Sequence, residues 1–123
     1  MKKVVLLIDD DKEDQEIFRE NLIQYNPGIE LISAFRGKEG LELIPKVSPT
    51  YIFLDINMPG MNGLEVLSII RKKKEYTRIP VFMYSTSDGQ RSRPISLKLG
   101  ATDYFRKPNN IEGLKKIFKE VFN

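Results

Sequence analysis

Five short apolar runs, recurring about every twenty-five residues, limit most strongly how this chain can fold. They are Val4–Ile8, Ile29–Ala34, Tyr51–Leu54, Pro80–Tyr84 and Asp103–Phe105. Most are β-branched or aromatic, and several are continuous rather than alternating, as in strands covered on both faces. Helical spacing fills the intervals. Phe18, Leu22 and Tyr25 stand at i, i+4, i+7; Leu64, Leu67 and Ile70 step by three, with Val66 and Ile69 widening the stripe. Ile111, Leu114, Phe118 and Phe122 form a last stripe. Asn26-Pro27-Gly28 stops the first helix, Ser48-Pro49 precedes the third strand, and Gly100 follows a helix end. Five strands alternating with five helices predict an α/β fold, a doubly wound parallel sheet in three layers.

With 123 residues, the chain fits one domain, 1–123. It has neither cysteine nor histidine. That removes disulfides, thiol nucleophiles, histidine-ligated zinc and Ser-His-Asp triads, so a metal must sit among oxygens. Residues 1–70 carry seven basic and twelve acidic side chains, whereas residues 71–123 carry thirteen and five. Such asymmetry can serve an anionic partner, or simply be a solvated surface. The basic run Arg71-Lys72-Lys73-Lys74 closes a helix, where cations suit the dipole, and no nucleic-acid recognition motif accompanies it. No specific nucleic acid is expected. The apolar stretch after Lys2-Lys3 ends at Asp9-Asp10-Asp11, too short for a signal peptide, and nothing is long enough to span a membrane. A cytoplasmic protein without membrane insertion is the expectation.

Doubly wound sheets bind ligands beyond the carboxyl ends of their strands. Here the first run ends in Asp9-Asp10, the third in Asp55, the fourth in Ser85-Thr86, and the fifth leads to Lys107-Pro108. Carboxylates gathered in one crevice repel each other and call for a cation; with oxygen ligands alone, Mg²⁺ is favoured. A helix N-terminus would account for Asp11 and one neighbour, but not for a second acidic strand end at Asp55. Lys107 can pair with an aspartate or reach phosphate oxygens, and a hydroxyl at Ser85 can bond a phosphoryl group. Aspartate nucleophiles form aspartyl-phosphates in such surroundings.

These residues resemble the response-regulator receiver family, of the single-domain chemotaxis-regulator type. The strongest piece is Leu54-Asp55-Ile56-Asn57-Met58-Pro59-Gly60-Met61-Asn62-Gly63, joined by the acidic pair, Ser85 and Lys107-Pro108 in order. The resemblance implies a flavodoxin-like sheet of order 2-1-3-4-5. It implies Asp55 as phosphoryl acceptor, with Mg²⁺ held by Asp10, Asp55 and the Asn57 backbone carbonyl, and by Asp9 through water. Ser85 would bond the phosphoryl group in the active state and Lys107 a phosphoryl oxygen, with a cis Lys107–Pro108 peptide aiming the lysine inward. Tyr104 matches the aromatic switch position, and Thr86 the position that gates access to the phosphoryl group.

The resemblance further implies a histidine kinase or histidine phosphotransfer protein as donor. The expected mode is a stand-alone regulator, not an enzyme beyond its own phosphorylation and dephosphorylation. It signals by docking a separate downstream protein through a face of the fourth helix, fifth strand and fifth helix; docking without phosphorylation is the alternative. Two departures bear on this. Thr86 is bulkier than the alanine or glycine often found there, which predicts slowed phosphoryl exchange. Arg93-Pro94 falls where the fourth helix should lie, which predicts a helix beginning near Ser92–Pro94 after a polar loop, 87–91, and a reshaped signalling face. A haloacid-dehalogenase-like phosphatase needs an acidic aspartate two residues past its nucleophile, where this chain has Asn57. A flavin module would have its phosphate repelled by Asp9-Asp10-Asp11.

Overall fold

The computed structural model describes residues 2–123. Strands β1 (Lys3–Ile8), β2 (Ile29–Ala34), β3 (Tyr51–Leu54), β4 (Val81–Ser85) and β5 (Asp103–Arg106) alternate with helices α1 (Lys12–Tyr25), α2 (Gly37–Val47), α3 (Gly63–Lys72), α4 (Ser92–Lys98) and α5 (Ile111–Phe122). All pairings are parallel and the order is β2-β1-β3-β4-β5. The flavodoxin-like, doubly wound reading therefore holds, and each strand lies within a residue or so of its apolar run.

Continuous runs arise because each strand feeds two cores. Leu6, Ile8, Ile52, Leu54, Val81 and Met83 face one side, with Ile44 of α2 and Val66, Leu67 and Ile70 of α3. Val5, Leu7, Phe53, Phe82 and Tyr84 face the other, against Phe18 and Leu22 of α1 and Leu114, Ile117 and Phe118 of α5. Phe18 centres the second core, 5.1 Å from the Phe53 ring and 5.0 Å from Phe118. Burial of a phenylalanine of this kind contributes about 1.5–3 kcal/mol, and the edge-on contacts add to it.

Of the helical stripes, Phe18, Leu22, Val66, Leu67, Ile70, Leu114 and Phe118 are buried, Tyr25, Leu64, Ile69 and Phe122 are partly buried, and Ile111 stands exposed at the start of α5. α4 begins at Ser92, so Pro94 falls in its first turn, where its missing N–H costs nothing. A short 3₁₀ turn, Lys74–Tyr76, follows α3 and was not visible in the periodicity. It belongs to the structural use of the basic run: Arg71 donates to the carbonyls of Gly100 (2.8 Å), Tyr76 (3.0 Å) and Ile79 (2.9 Å). Among the described residues, no helix is long and apolar enough to cross a membrane.

Candidate functional site

Strand-end residues are fixed by main-chain bonds that continue the ladders past the last strand residue. Asp9 N–H donates to the Ala34 carbonyl (3.0 Å), Asp55 N–H to Ile8 (2.9 Å) and Lys107 N–H to Ser85 (2.7 Å). The sheet thus delivers Asp9, Asp55 and Lys107 to one rim with little backbone freedom. Asp11 is the N-cap of α1, its carboxylate accepting from Asp14 N–H at 3.1 Å. A helix start therefore does account for Asp11, and it leaves Asp9 and Asp10 facing the rim. Gln15 braces this corner: its buried amide nitrogen lies 3.0 Å from each of the carbonyls of Leu7, Asp9 and Ala34.

On the third strand, the turn after Asp55 requires Gly63. A Cβ there would lie 2.1 Å from the Asp55 carbonyl oxygen. Asn62 caps α3 reciprocally with Glu65, closing the loop 55–62 against the helix.

Carboxylate oxygens of Asp9, Asp10 and Asp55 lie within 4.8 Å of one another. Asp9 is fully buried and Asp55 is 5% exposed. Lys107 Nζ sits among them, 2.9 Å from Asp9 Oδ2, 2.8 Å from Asp14 Oδ2 and 3.6 Å from Asp55 Oδ2. Its ammonium also lies 5.7 Å from the centre of the Tyr84 ring. The Asp9 contact is an ion pair without hydrogen-bond geometry, so Asp9 Oδ2 is a buried oxygen lacking a hydrogen-bond partner.

Electrostatics follow from this crowding. Burial chiefly, and then the neighbouring Asp9 charge, push the Asp55 carboxyl from 3.8 up to about 7, against the pull of Lys107. Burial also raises the Asp9 pKa, although Lys107 and the Asp11 N–H oppose it. For Lys107, burial lowers the pKa, but its pairing with Asp14 and Asp9 outweighs that and leaves it above the usual lysine value. One cation faces several carboxylates, which leaves the pocket electron-rich.

A cleft of about 540 Å³ opens over the cluster, lined by Asp10, Asp55, Asn57, Thr86 and Lys107 among others. Ser85 is fully buried below this rim, and its Oγ accepts from Ser87 N–H at 3.3 Å. Tyr104 lies in the core on the α3 side, its hydroxyl donating to the Ser87 carbonyl at 3.0 Å. The structure thus brings together Asp9, Asp10, Asp55 and Lys107, sets Asn57 and Thr86 at the mouth, and leaves Ser85 and Tyr104 outside the cleft. Ser87 joins those two.

The expected cis peptide before Pro108 is corrected: none of the described peptide bonds is cis. Lys107 is aimed inward instead by its main-chain bond to Ser85, which continues the β4–β5 pairing. Asp14 and Ser87 escaped the sequence reading. For Asp14 a signal existed, because a helix capped by Asp11 turns its third residue back toward the strand end. Ser87 acts through its main chain, which leaves no side-chain signature.

A family model described as "Response regulator receiver domain" matches residues 5–119. Chemotaxis protein CheY4 of Vibrio cholerae superposes with a TM-score of 0.87 at 29% identity, over 99% of this chain and 100% of that one. A phosphorylated cyanobacterial phytochrome response regulator, RcpA, gives 0.88 at 29% identity, covering 98% and 91%. Response regulator TrrA of Thermotoga maritima, in complex with Mg(2+)-BeF, gives 0.80 at 32% identity, covering 96% and 97%.

Proposed function

The chain belongs to the response regulator receiver domain family, and from that premise we propose that it forms a cytoplasmic phosphoryl switch with Asp55 as acceptor. One observation carries this reading. A buried carboxylate at the end of β3 lies with two other carboxylates within 4.8 Å and an ammonium at 3.6 Å, at the mouth of an open cleft. Such a carboxylate is poorly solvated and therefore nucleophilic, and its neighbours are charges that a phosphoryl group and a cation can complement.

A divalent cation fits the residues present. The donors are oxygens only, the buried Asp9 Oδ2 lacks a hydrogen-bond partner, and a single lysine leaves the cluster short of positive charge. Asp10 and Asp55, the Asn57 carbonyl and, through water, Asp9 would hold Mg²⁺. When bound it supplies charge neutralisation to the oxygens of the transferring group.

In the transfer itself an Asp55 oxygen forms a bond to phosphorus as the phosphorus–nitrogen bond of a donor phosphohistidine breaks. The bonding electrons leave on the imidazole. The donor is a histidine kinase or a histidine phosphotransfer protein, and hydrolysis of the acyl phosphate restores Asp55. The chain does no catalysis on a separate substrate. Lys107 binds a phosphoryl oxygen. Ser85 moves its hydroxyl toward the group, and that motion pulls on Ser87 and hence on the Tyr104 hydroxyl. The face of α4, β5 and α5, altered in this way, docks a separate downstream protein.

Incubation with Mg²⁺ and acetyl phosphate, followed by intact-mass measurement, tests the acceptor. One added phosphoryl group is expected in the wild type and none in Asp55→Asn or with chelator. An adduct that survives in Asp55→Asn sinks the assignment. Thr86 is exposed at the mouth of the cleft, where its branched side chain shields the group from water. Thr86→Ala is expected to dephosphorylate several-fold faster, as followed by loss of the adduct; equal rates would remove Thr86 from the pathway.

A further inference from the structure

Lys107 has more carboxylates within reach than its role at Asp55 requires. An ammonium offers three hydrogens. The shortest contact goes to Asp14 Oδ2, a hydrogen bond of 2.8 Å, and the next is the 2.9 Å ion pair with Asp9. Asp55 Oδ2, at 3.6 Å, lies beyond N–H···O range. The lysine therefore stands in the right pocket but is tied to the first turn of α1.

Both partners are built for an exchange. The Lys107 side chain is 10% exposed and its ammonium lies near the Tyr84 ring, so it can swing only within the pocket. Asp14 is 31% exposed, at the boundary between the carboxylate cleft and a second cleft between α1 and α5. A released Asp14 carboxylate can be taken up by water at small cost, whereas a released Asp9 carboxylate, fully buried, cannot. When Lys107 needs a bond for a new acceptor, Asp14 is the one to give way.

We propose that Asp14 is a positioning residue that holds Lys107 short of Asp55, so that phosphoryl uptake requires Lys107 to exchange its Asp14 bond for one to a phosphoryl oxygen. This rests on Asp55 being the acceptor. Asp14 sets a threshold: the lysine is withheld from the unmodified carboxylate and released to a group of greater negative charge. The covalent step is unchanged, with a phosphorus–oxygen bond forming at Asp55 as the bond to the donor breaks.

Phosphorylation by acetyl phosphate at saturating Mg²⁺ should be about fivefold faster in Asp14→Asn, which corresponds to losing one partly exposed ion pair. Asp14→Glu restores the carboxylate and should return the rate toward wild type. Removing a negative charge could itself speed uptake of an anionic donor, so the same substitution is made in a Lys107→Ala background. There Asp14→Asn should change the rate less than about twofold, because a competitor has no effect once its object is gone. Folding is not at stake, since the capping bond to Asp11 uses the Asp14 main chain; matched melting curves check this. An Asp14→Asn rate equal to or below wild type overturns the proposal and leaves the acceptor reading standing. So does a fivefold gain that persists without Lys107. A wild-type protein that takes up no phosphoryl group overturns the acceptor reading and this proposal together.

Discussion

Asp55 is the residue on which burial and function pull in opposite directions. A nucleophile must be ionised, yet desolvation and Asp9 raise its pKa to about 7. The folded protein therefore holds a proton at Asp55 that the unfolded chain releases near pH 4. Between those values the fold binds more protons than the unfolded state, so stability falls as pH rises from about 4 to about 7. The loss reaches up to about 4 kcal/mol for this one group. Without divalent cations, wild type should thus become less stable than Asp55→Asn as pH is raised from 5 to 8, read from urea unfolding at each pH. A constant difference across that range would mean that Asp55 titrates normally.

The loop between β4 and α4 is the element through which the site reaches the rest of the fold. Gly89 has φ of 86°, in the left-handed region, and a Cβ there would lie 2.8 Å from Tyr104 Cε1. The loop thus closes over the Tyr104 ring while Ser87 takes its hydroxyl, and Arg93 secures the same strand through Asp103 (3.1 Å) and the Tyr104 carbonyl (3.0 Å). Gly89→Ala should cost about 1–3 kcal/mol and displace the Tyr104 ring, visible in its NMR shifts. In a Tyr104→Ala background the contact part of that cost should vanish, leaving only the backbone part. The strand ends and the start of α4 were legible in the sequence, because continuous apolar runs and a proline each admit few placements. Gly89, Ser87 and the tie between Asp14 and Lys107 were not. Their meaning depends on which loop lies over which side chain, and residue spacing along one chain carries no such information. The Lys-Pro geometry failed for a related reason: the resemblance supplied an isomer, while a ladder bond from Lys107 to Ser85 does the aiming in this chain.

At the scale of the molecule, folding assembles a repulsion. Asp9 and Asp10 follow β1 and Asp55 follows β3; those strands are neighbours in the sheet but more than forty residues apart in the chain. The unfolded chain keeps Asp55 apart from that pair, and the fold places the three carboxylates' oxygens within 4.8 Å of one another. A cation that binds this cluster acts on the native state alone, so it must raise global stability by mass action. With Mg²⁺ at a hundred times its dissociation constant the gain is about 2.7 kcal/mol. For a domain of this size that is a rise of about 10 °C in Tm. Calorimetry with Mg²⁺ against chelator, at ionic strength matched by monovalent salt, separates binding from general screening. Asp10→Asn should lose most of the rise, since it removes a ligand. Asp14→Asn should keep it, because Asp14 binds the lysine and lies outside the three-carboxylate group. If saturating Mg²⁺ leaves the wild-type Tm where matched monovalent salt leaves it, Lys107 alone balances the cluster, and the phosphoryl chemistry proposed for Asp55 loses its cation.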